Sequence, residues 1–403
     1  MVKNRLFKRP YLLVLTTTFP RWCEDTLPPF VFELCQRLTN QFRVVVLAPH
    51  APGSRRCERM SGILVIRFRY APDAWETLAY SGITTRLNKR RSAWLLAPAL
   101  LLAFACALHA LLRRRPFAAI HAHWLLPLGL LAVLSRVPTL ATAHGADVFA
   151  LRGRLADTLR RYVVRRAAAI TTVSEALRQR LVAAGALAER ITVRPMGIDA
   201  RHTFTPEFRR NTHSPRLLFV GRLVEKKGLS VLLAALPAVL QHHPGISLEI
   251  IGDGLERDAL IAQTKALGLG RYIHFAGAMP NMALPEFYRN ADLAIFPSLI
   301  SRDGDAEGFG LVLAEAMACG CPVVASDLPP FRELAEGCPS IVFFSPGDSA
   351  ELVAAILEVL ANPAAWREAT EVSRRLILER YDWEPVSRGY CALLQQVMKH
   401  VTD

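Results

Sequence analysis

Short runs of aliphatic and β-branched residues alternate with longer helical stretches along nearly the whole chain, and midway the alternation breaks and then restarts. Such alternation folds as parallel sheet covered by helices on both faces, because a parallel crossover needs a dozen or more residues and buries both sides of each strand. The first series predicts strands at Tyr11–Thr16, Arg43–Ala48, Leu64–Arg69, Ala119–Ala122, Thr139–Ala143, Ala169–Val173 and Ile191–Val193, with helices such as Pro29–Thr39 and Asp157–Arg166 between them. After Pro195-Met196-Gly197-Ile198-Asp199 the chain turns polar through about Pro215 and reads as a linker. The second series predicts strands at Arg216–Val220, Ser247–Ile251, Ile273–Phe275, Leu293–Phe296, Pro322–Ala325 and Ile341–Phe343. The expected fold is therefore α/β, with two Rossmann-like doubly wound domains, 1–200 and 201–382, facing across a cleft at the carboxyl ends of their strands. A last amphipathic helix is expected from Tyr381-Asp382-Trp383 to Val401. The length of 403 residues suits two such domains.

Charge divides along the same line. Residues 1–200 hold 30 Lys and Arg against 11 Asp and Glu, a balance of +19, and the remainder holds 19 against 24, a balance of −5. A basic half attracts something anionic, whether nucleic acid, an acidic membrane face or a phosphorylated ligand. Eight scattered cysteines contain no C-x-x-C pair and suggest neither disulfides nor a zinc site. Lys3, Arg5, Lys8 and Arg9 precede the apolar run Tyr11–Leu15, which is too short for a secretory leader and reads as a first strand. The segment Ser92–Leu112 has no formal charge over 21 residues and is flanked by Lys89-Arg90-Arg91 and Arg113-Arg114-Arg115. Its length would span a bilayer, but the equal basic collars, Pro98 and His109 favour a buried helix or one lying on an anionic lipid surface.

The chemistry should lie just after strands, and two segments there carry it. Gly221-Arg222-Leu223-Val224-Glu225-Lys226-Lys227-Gly228 puts Arg222 and Lys227 on a glycine-flanked loop, suited to a pyrophosphate, although a solvated basic turn has the same composition. It is neither a Walker loop nor G-x-G-x-x-G. The segment from Asp305-Ala306-Glu307-Gly308-Phe309-Gly310-Leu311 through Glu315 to Asp327 is more specific. Gly308 and Gly310 let backbone N–H groups approach a ligand, a helix start near Gly310 favours phosphate, and Glu315 can take both hydroxyls of a ribose. Glu307, eight residues before Glu315, faces whatever hangs from the phosphate.

The pair Glu307/Glu315 within E-G-F-G-L-x-L-x-E-A-M-A-x-G-x-P-V-V-A, together with G-R-L-x-x-x-K-G at 221–228, resembles the retaining nucleotide-sugar glycosyltransferases of family 4, which have the two-Rossmann GT-B fold. The resemblance extends through Ile250-Ile251-Gly252-Asp253-Gly254, Phe275-Ala276-Gly277, Ala291-Asp292 and Phe296-Pro297-Ser298. In the first half it runs through His121-Ala122-His123-Trp124, His144-Gly145-Ala146-Asp147, Thr172-Val173-Ser174 and Pro195–Asp199. Met196 stands where that family usually has Asn, and Thr17-Thr18-Phe19-Pro20-Arg21 replaces its usual glycine pair.

The resemblance implies that Arg222 and Lys227, after Gly221, hold the donor pyrophosphate. It implies that Glu307 and the backbone of Gly308, Phe309, Gly310 and Leu311 hold the donor sugar, that Glu315 holds the ribose, and that the base is read near Gly277 to Met279. His144 would reach the transferred sugar, although a packed or capping histidine remains an alternative. Phe19, Arg21, His123 and Asp147 would lie on the acceptor side. His121 and His123 are spaced like a metal pair but lack a third ligand, so no metal or cofactor is expected. The helix 383–403 would cross back onto the first domain, with hinges near Ile198–Pro206 and Tyr381–Trp383, and the domains would close to assemble the site.

The expected activity is transfer of a sugar from a nucleotide-sugar donor with retention, to a lipid-linked or saccharide acceptor for cell-surface polysaccharide or glycolipid, at the cytoplasmic face of an anionic membrane. A soluble small-molecule acceptor is the alternative. A nucleic-acid-binding protein would explain the charge but lacks any recognition motif, and a sugar-nucleotide epimerase or hydrolase would use the same donor cleft without an acceptor.

Overall fold

The computed structural model describes residues 9–399 apart from 23, 81–92, 150, 152 and 208–213. Lys3, Arg5, Lys8, the collar Lys89-Arg90-Arg91, part of the linker and the last four residues lie outside the described residues. The chain divides into two compact units. One comprises residues 1–173, 177–194 and 387–403, and the other comprises 174–176 and 195–386. The last helix, Trp383–Lys399, thus begins in the second unit and ends in the first.

The first unit is built on an eight-stranded sheet. Its strands are β1 Tyr11–Leu15, β2 Arg43–Pro49, β3 Cys57–Met60, β4 Ile63–Phe68, β5 Phe117–His123, β6 Thr139–Ala143, β7 Ala169–Thr172 and β8 Ile191–Val193, in the spatial order β3-β4-β2-β1-β5-β6-β7-β8. All pairs are parallel except β3–β4. β3, which the alternation does not predict, exists because Ser61 and Gly62 both take positive φ and close a two-residue hairpin. β1 and β2 are aliphatic on both faces and buried beyond their first residues, Tyr11 and Arg43, as parallel strands under two helical layers must be.

The helix Ala93–Arg114 lies between β4 and β5 in sequence and packs on β2 and β4. It turns only one stripe inward, Leu100, Phe104, Leu108 and Leu111, with Phe104 edge-on to Phe68 at 4.7 Å. Leu95 (81% exposed), Leu101 and Leu102 (67%) face outward. The helix is therefore neither a buried core helix nor free of the domain. Its inner stripe is engaged and its outer face is apolar and bare.

The second unit carries a six-stranded, all-parallel sheet. Its strands are β9 Arg216–Val220, β10 Ser247–Ile251, β11 Ile273–Gly277, β12 Leu293–Phe296, β13 Val323–Ser326 and β14 Ile341–Phe344, in the order β11-β10-β9-β12-β13-β14. Its core joins Leu217, Phe219, Leu248 and Ile250 of the sheet to Leu232, Leu236 and Ile356 of flanking helices. Strand order reverses between β1 and β5 in one unit and between β9 and β12 in the other, so a crevice opens beyond the carboxyl ends of each pair.

Candidate active site

In the second unit, the loop after β9 lies directly on the loop after β12. Gly228 takes φ +63°, and a Cβ there would fall 1.7 Å from the Pro297 carbonyl oxygen, so only glycine permits the approach. The Leu299 N–H donates to the Lys226 carbonyl at 2.7 Å. The Lys227 Nζ meets Glu307 Oε1 at 2.8 Å. Lys226, which sequence reasoning passed over, is buried and bridges Asp305 Oδ2 at 3.0 Å and the Ala306 carbonyl at 3.1 Å. Arg222 is exposed at the mouth of the same loop. Burial works against the charge of Glu307, but Lys227, Lys226 and Arg222 outweigh it and hold the carboxyl below its ordinary range.

Gly310, at φ +103°, precedes the helix Leu311–Ala318, whose first amides lack α-helical acceptors and form an anion-favouring helix start. Phe309 packs edge-on against Tyr381 at 5.5 Å, which leaves its backbone rather than its ring for a ligand. Glu315 is buried and accepts from Asn281 Nδ2 at 3.2 Å and Tyr288 OH at 3.1 Å. These two donors were not legible as site residues. Gly277 ends β11 at φ +78° with open space around it, and half-buried Met279 follows on the loop that brings in Asn281. Gly252, at φ +142°, admits no side chain, because a Cβ there would fall 1.9 Å from the Gly221 carbonyl oxygen. The structure therefore gathers Gly221, Arg222, Lys227, Glu307, Gly308 and Gly310 on neighbouring loops of one edge, with Leu311 and Glu315 in the helix that follows.

In the first unit, β5 ends at His123 and β6 is followed by His144. His123 Nδ1 and His144 Nε2 are 2.9 Å apart with their rings stacked at 5.1 Å, and His121 Nε2 lies 2.9 Å from Thr142 Oγ1. Burial holds His121 and His144 near a pKa of about 3 and His123 well below its usual value, so all three rings are neutral. His121 Nδ1 and His123 Nε2 are buried with no partner among the described residues. A buried orphaned N–H costs more than a buried orphaned lone pair, so His121 and His123 carry their protons on the nitrogens that have partners, Nε2 and Nδ1. His123 Nδ1–H then donates to His144 Nε2, and His144 carries its own proton on Nδ1, which has no partner among the described residues. The result is a neutral donor, not a base.

Asp147 holds this arrangement. It is buried, with Oδ1 accepting from the His144 and Gly145 amides at 3.1 Å each and Oδ2 accepting from the Leu125 amide at 2.7 Å. It acts on the loops after β5 and β6 and has no free oxygen face. Phe19 is wholly buried edge-on to Phe32, so its ring is core and not acceptor surface. Arg21 is half-exposed, forks onto Asp25 through Nε at 2.9 Å and Nη2 at 2.6 Å, and covers Trp22 at 4.3 Å.

Comparison with known proteins agrees with this geometry. A family model described as Glycosyltransferase Family 4 matches residues 29–202, and one described as Glycosyl transferases group 1 matches 201–376. Sucrose-phosphate synthase from Thermosynechococcus elongatus has the same fold, with a TM-score of 0.81 at 22% identity over 97% of this chain and 100% of that one. The architecture is GT-B, two Rossmann-like domains. Glycogen synthase of Mycobacterium tuberculosis is 33% identical over 280 residues, 66% of either chain. The phosphatidyl-myo-inositol mannosyltransferase of Mycobacterium leprae is 38% identical over 178 residues, 43% of this chain and 45% of that one. The chain belongs to the family 4 glycosyltransferases. It spans about two thirds of the length of the glycogen synthase and under half of the mannosyltransferase.

Proposed function

We propose that the protein transfers a sugar, with retention of configuration, from a nucleotide-diphosphate sugar to a lipid-linked or saccharide acceptor in the synthesis of cell-surface polysaccharide or glycolipid, at the cytoplasmic face of the membrane. The observation that carries this reading is the Lys227–Glu307 pair beside Arg222 and the Gly310 helix start, a cationic seat in which the buried Glu307 is already paired. Lys227, ion-paired with Glu307, offers its ammonium to the pyrophosphate, and exposed Arg222 adds a fork. As the bond from sugar C1 to the phosphate oxygen breaks, charge collects on that oxygen, and fixed cations stabilise it without a metal ion. Glu315, oriented by Asn281 and Tyr288, is the carboxylate that would take the ribose hydroxyls.

With both carboxylates engaged in this way, a front-face displacement is the route we favour. The acceptor oxygen bonds to C1 on the face the phosphate leaves, and the acceptor proton passes to the departing phosphate oxygen. The neutral His144, with its proton on Nδ1, fits a role as donor to a sugar hydroxyl and needs to accept no proton. A covalent sugar adduct trapped on Glu307 would overturn this route. Membrane placement is supported by the bare apolar face of Ala93–Arg114 and the +19 balance of residues 1–200, and the mannosyltransferase relative has a lipid acceptor in its name.

The test is ligand-induced thermal shift with UDP-, GDP- and ADP-sugars, without added metal. A donor at a hundredfold over Kd adds about 2.7 kcal/mol of apparent stability. One nucleotide class should shift the wild type and leave Arg222→Ala and Glu315→Ala unmoved. No shift with any sugar nucleotide overturns the donor reading.

A further inference from the structure

A cavity of about 340 Å³ opens at the amino-terminal edge of the first sheet, the edge opposite the loops that carry His123 and His144. It is lined by Arg9, Arg43, Arg59 and Arg115 together with Tyr11, and no carboxylate lines it. The Tyr11 hydroxyl accepts from Arg43 Nη1 at 3.5 Å and Arg115 Nη1 at 3.4 Å, and both guanidiniums lie 5.4 Å from its ring centre. The hydrogen bond from Arg43 pulls the phenol below its usual pKa, a sign of local positive charge that nothing nearby cancels. Among the described residues no ion pair satisfies Arg43, Arg59 or Arg115. Four arginines converging without an acid are a seat for an anion.

What adjoins the cavity says which anion. Arg115 is the residue after the helix Ala93–Arg114, whose outward residues Leu95, Leu101 and Leu102 are exposed and which carries no charged residue before Arg113. That helix is about 33 Å long. It runs back from the catalytic edge, where β4 ends, to the arginine edge, where β5 begins. A soluble phosphate would use the arginines and leave the apolar face in water. A bilayer covers both, acyl region on the leucines and headgroup phosphate in the cavity.

We propose that this cavity binds the phosphate of an anionic phospholipid headgroup while the outer face of Ala93–Arg114 lies flat in the membrane interface. The proposal rests on the membrane placement above and adds to it a defined seat. The seat is separate from the catalytic edge by the length of β1, roughly 13 Å, so it holds the enzyme to the surface and does not present the reacting hydroxyl.

The experiment is vesicle sedimentation of the full chain with phosphatidylcholine alone and with added phosphatidylglycerol. The triple variant Arg43→Gln/Arg59→Gln/Arg115→Gln is compared with a triple of equal charge elsewhere on the unit, Arg136→Gln/Arg165→Gln/Arg166→Gln. At about fivefold per basic residue near the surface, the cavity triple should lose about a hundredfold in partition to the anionic vesicles. The control triple should lose threefold or less. Leu102→Asp should weaken binding with the arginines intact. Equal loss in both triples would show a diffuse charge effect and overturn the cavity. Wild-type protein that ignores anionic vesicles while still shifting with a sugar nucleotide would overturn the membrane placement and the cavity together, and would leave the donor reading standing. Thermal melting of each variant separates loss of binding from loss of fold.

Discussion

The two halves of the molecule prepare for their ligands in opposite ways. At the donor edge every buried charge is matched inside the protein: Lys227 with Glu307, Lys226 with Asp305, Glu315 with Asn281 and Tyr288. At the edge holding His123 and His144, burial has removed charge from the rings, and the three histidines are neutral donors and lone pairs. The difference suits the proposed roles, a pyrophosphate met by charge already in place and a neutral sugar met by oriented hydrogen bonds. Only the first kind of site leaves a loud mark in a sequence.

The comparison breaks most sharply at Lys227. Lys227→Met removes a cation from the pyrophosphate seat and strands Glu307, so kcat should fall by about 10²- to 10³-fold and stability by about 3–5 kcal/mol. Exposed Arg222→Gln should lower kcat similarly while leaving the melting temperature nearly unchanged. If both variants melt like the wild type, the pairing of Lys227 with Glu307 is not what holds this edge.

The histidine edge should respond through geometry instead. An asparagine amide can stand in for Nδ1 and a glutamine amide for Nε2, so His144→Asn should retain about tenfold more transfer than His144→Gln. Ring ¹⁵N spectra should show His144 protonated at Nδ1 in the wild type and in His123→Asn, and no longer fixed there in His123→Leu. A wild-type His144 protonated at Nε2 would reverse the assignment.

A smaller effect is expected at Glu315. Tyr288→Phe removes one of its donors and should weaken donor affinity by about fivefold, near 1 kcal/mol, with kcat unchanged. The smallest effect concerns acid. Because the native Glu307 carboxyl titrates below its ordinary value, its contribution to stability is complete above about pH 4.3 and is lost as pH falls through the lowered native value. Thermal melts across the acid range should lose this step in Glu307→Gln.

How much could be read in advance follows from the same contrast. The strands and the donor loops were legible because their signals are local: aliphatic runs, glycines where backbones touch, and acids eight residues apart within one helix start. Lys226 was not, since nothing in a Lys-Lys pair says which side chain turns inward. Asn281 and Tyr288 were not, because they reach Glu315 from 34 and 27 residues away. His123 and His144 are 21 apart and meet only because β5 and β6 pair in parallel. The cavity arginines come from four separate segments and share no motif. β3 was missed because Cys57-Glu58-Arg59-Met60 has no strand composition, and the turn at Ser61-Gly62 makes it one.

The contact between Gly228 and the Pro297 carbonyl bears on how this chain can diverge. With 1.7 Å available for a Cβ, no single replacement at that position is a small step. Neither loop can drift without the other, since a new side chain on one requires a rebuilt backbone on its neighbour. Mutational paths through the donor half are thereby closed near the crevice and open only farther out.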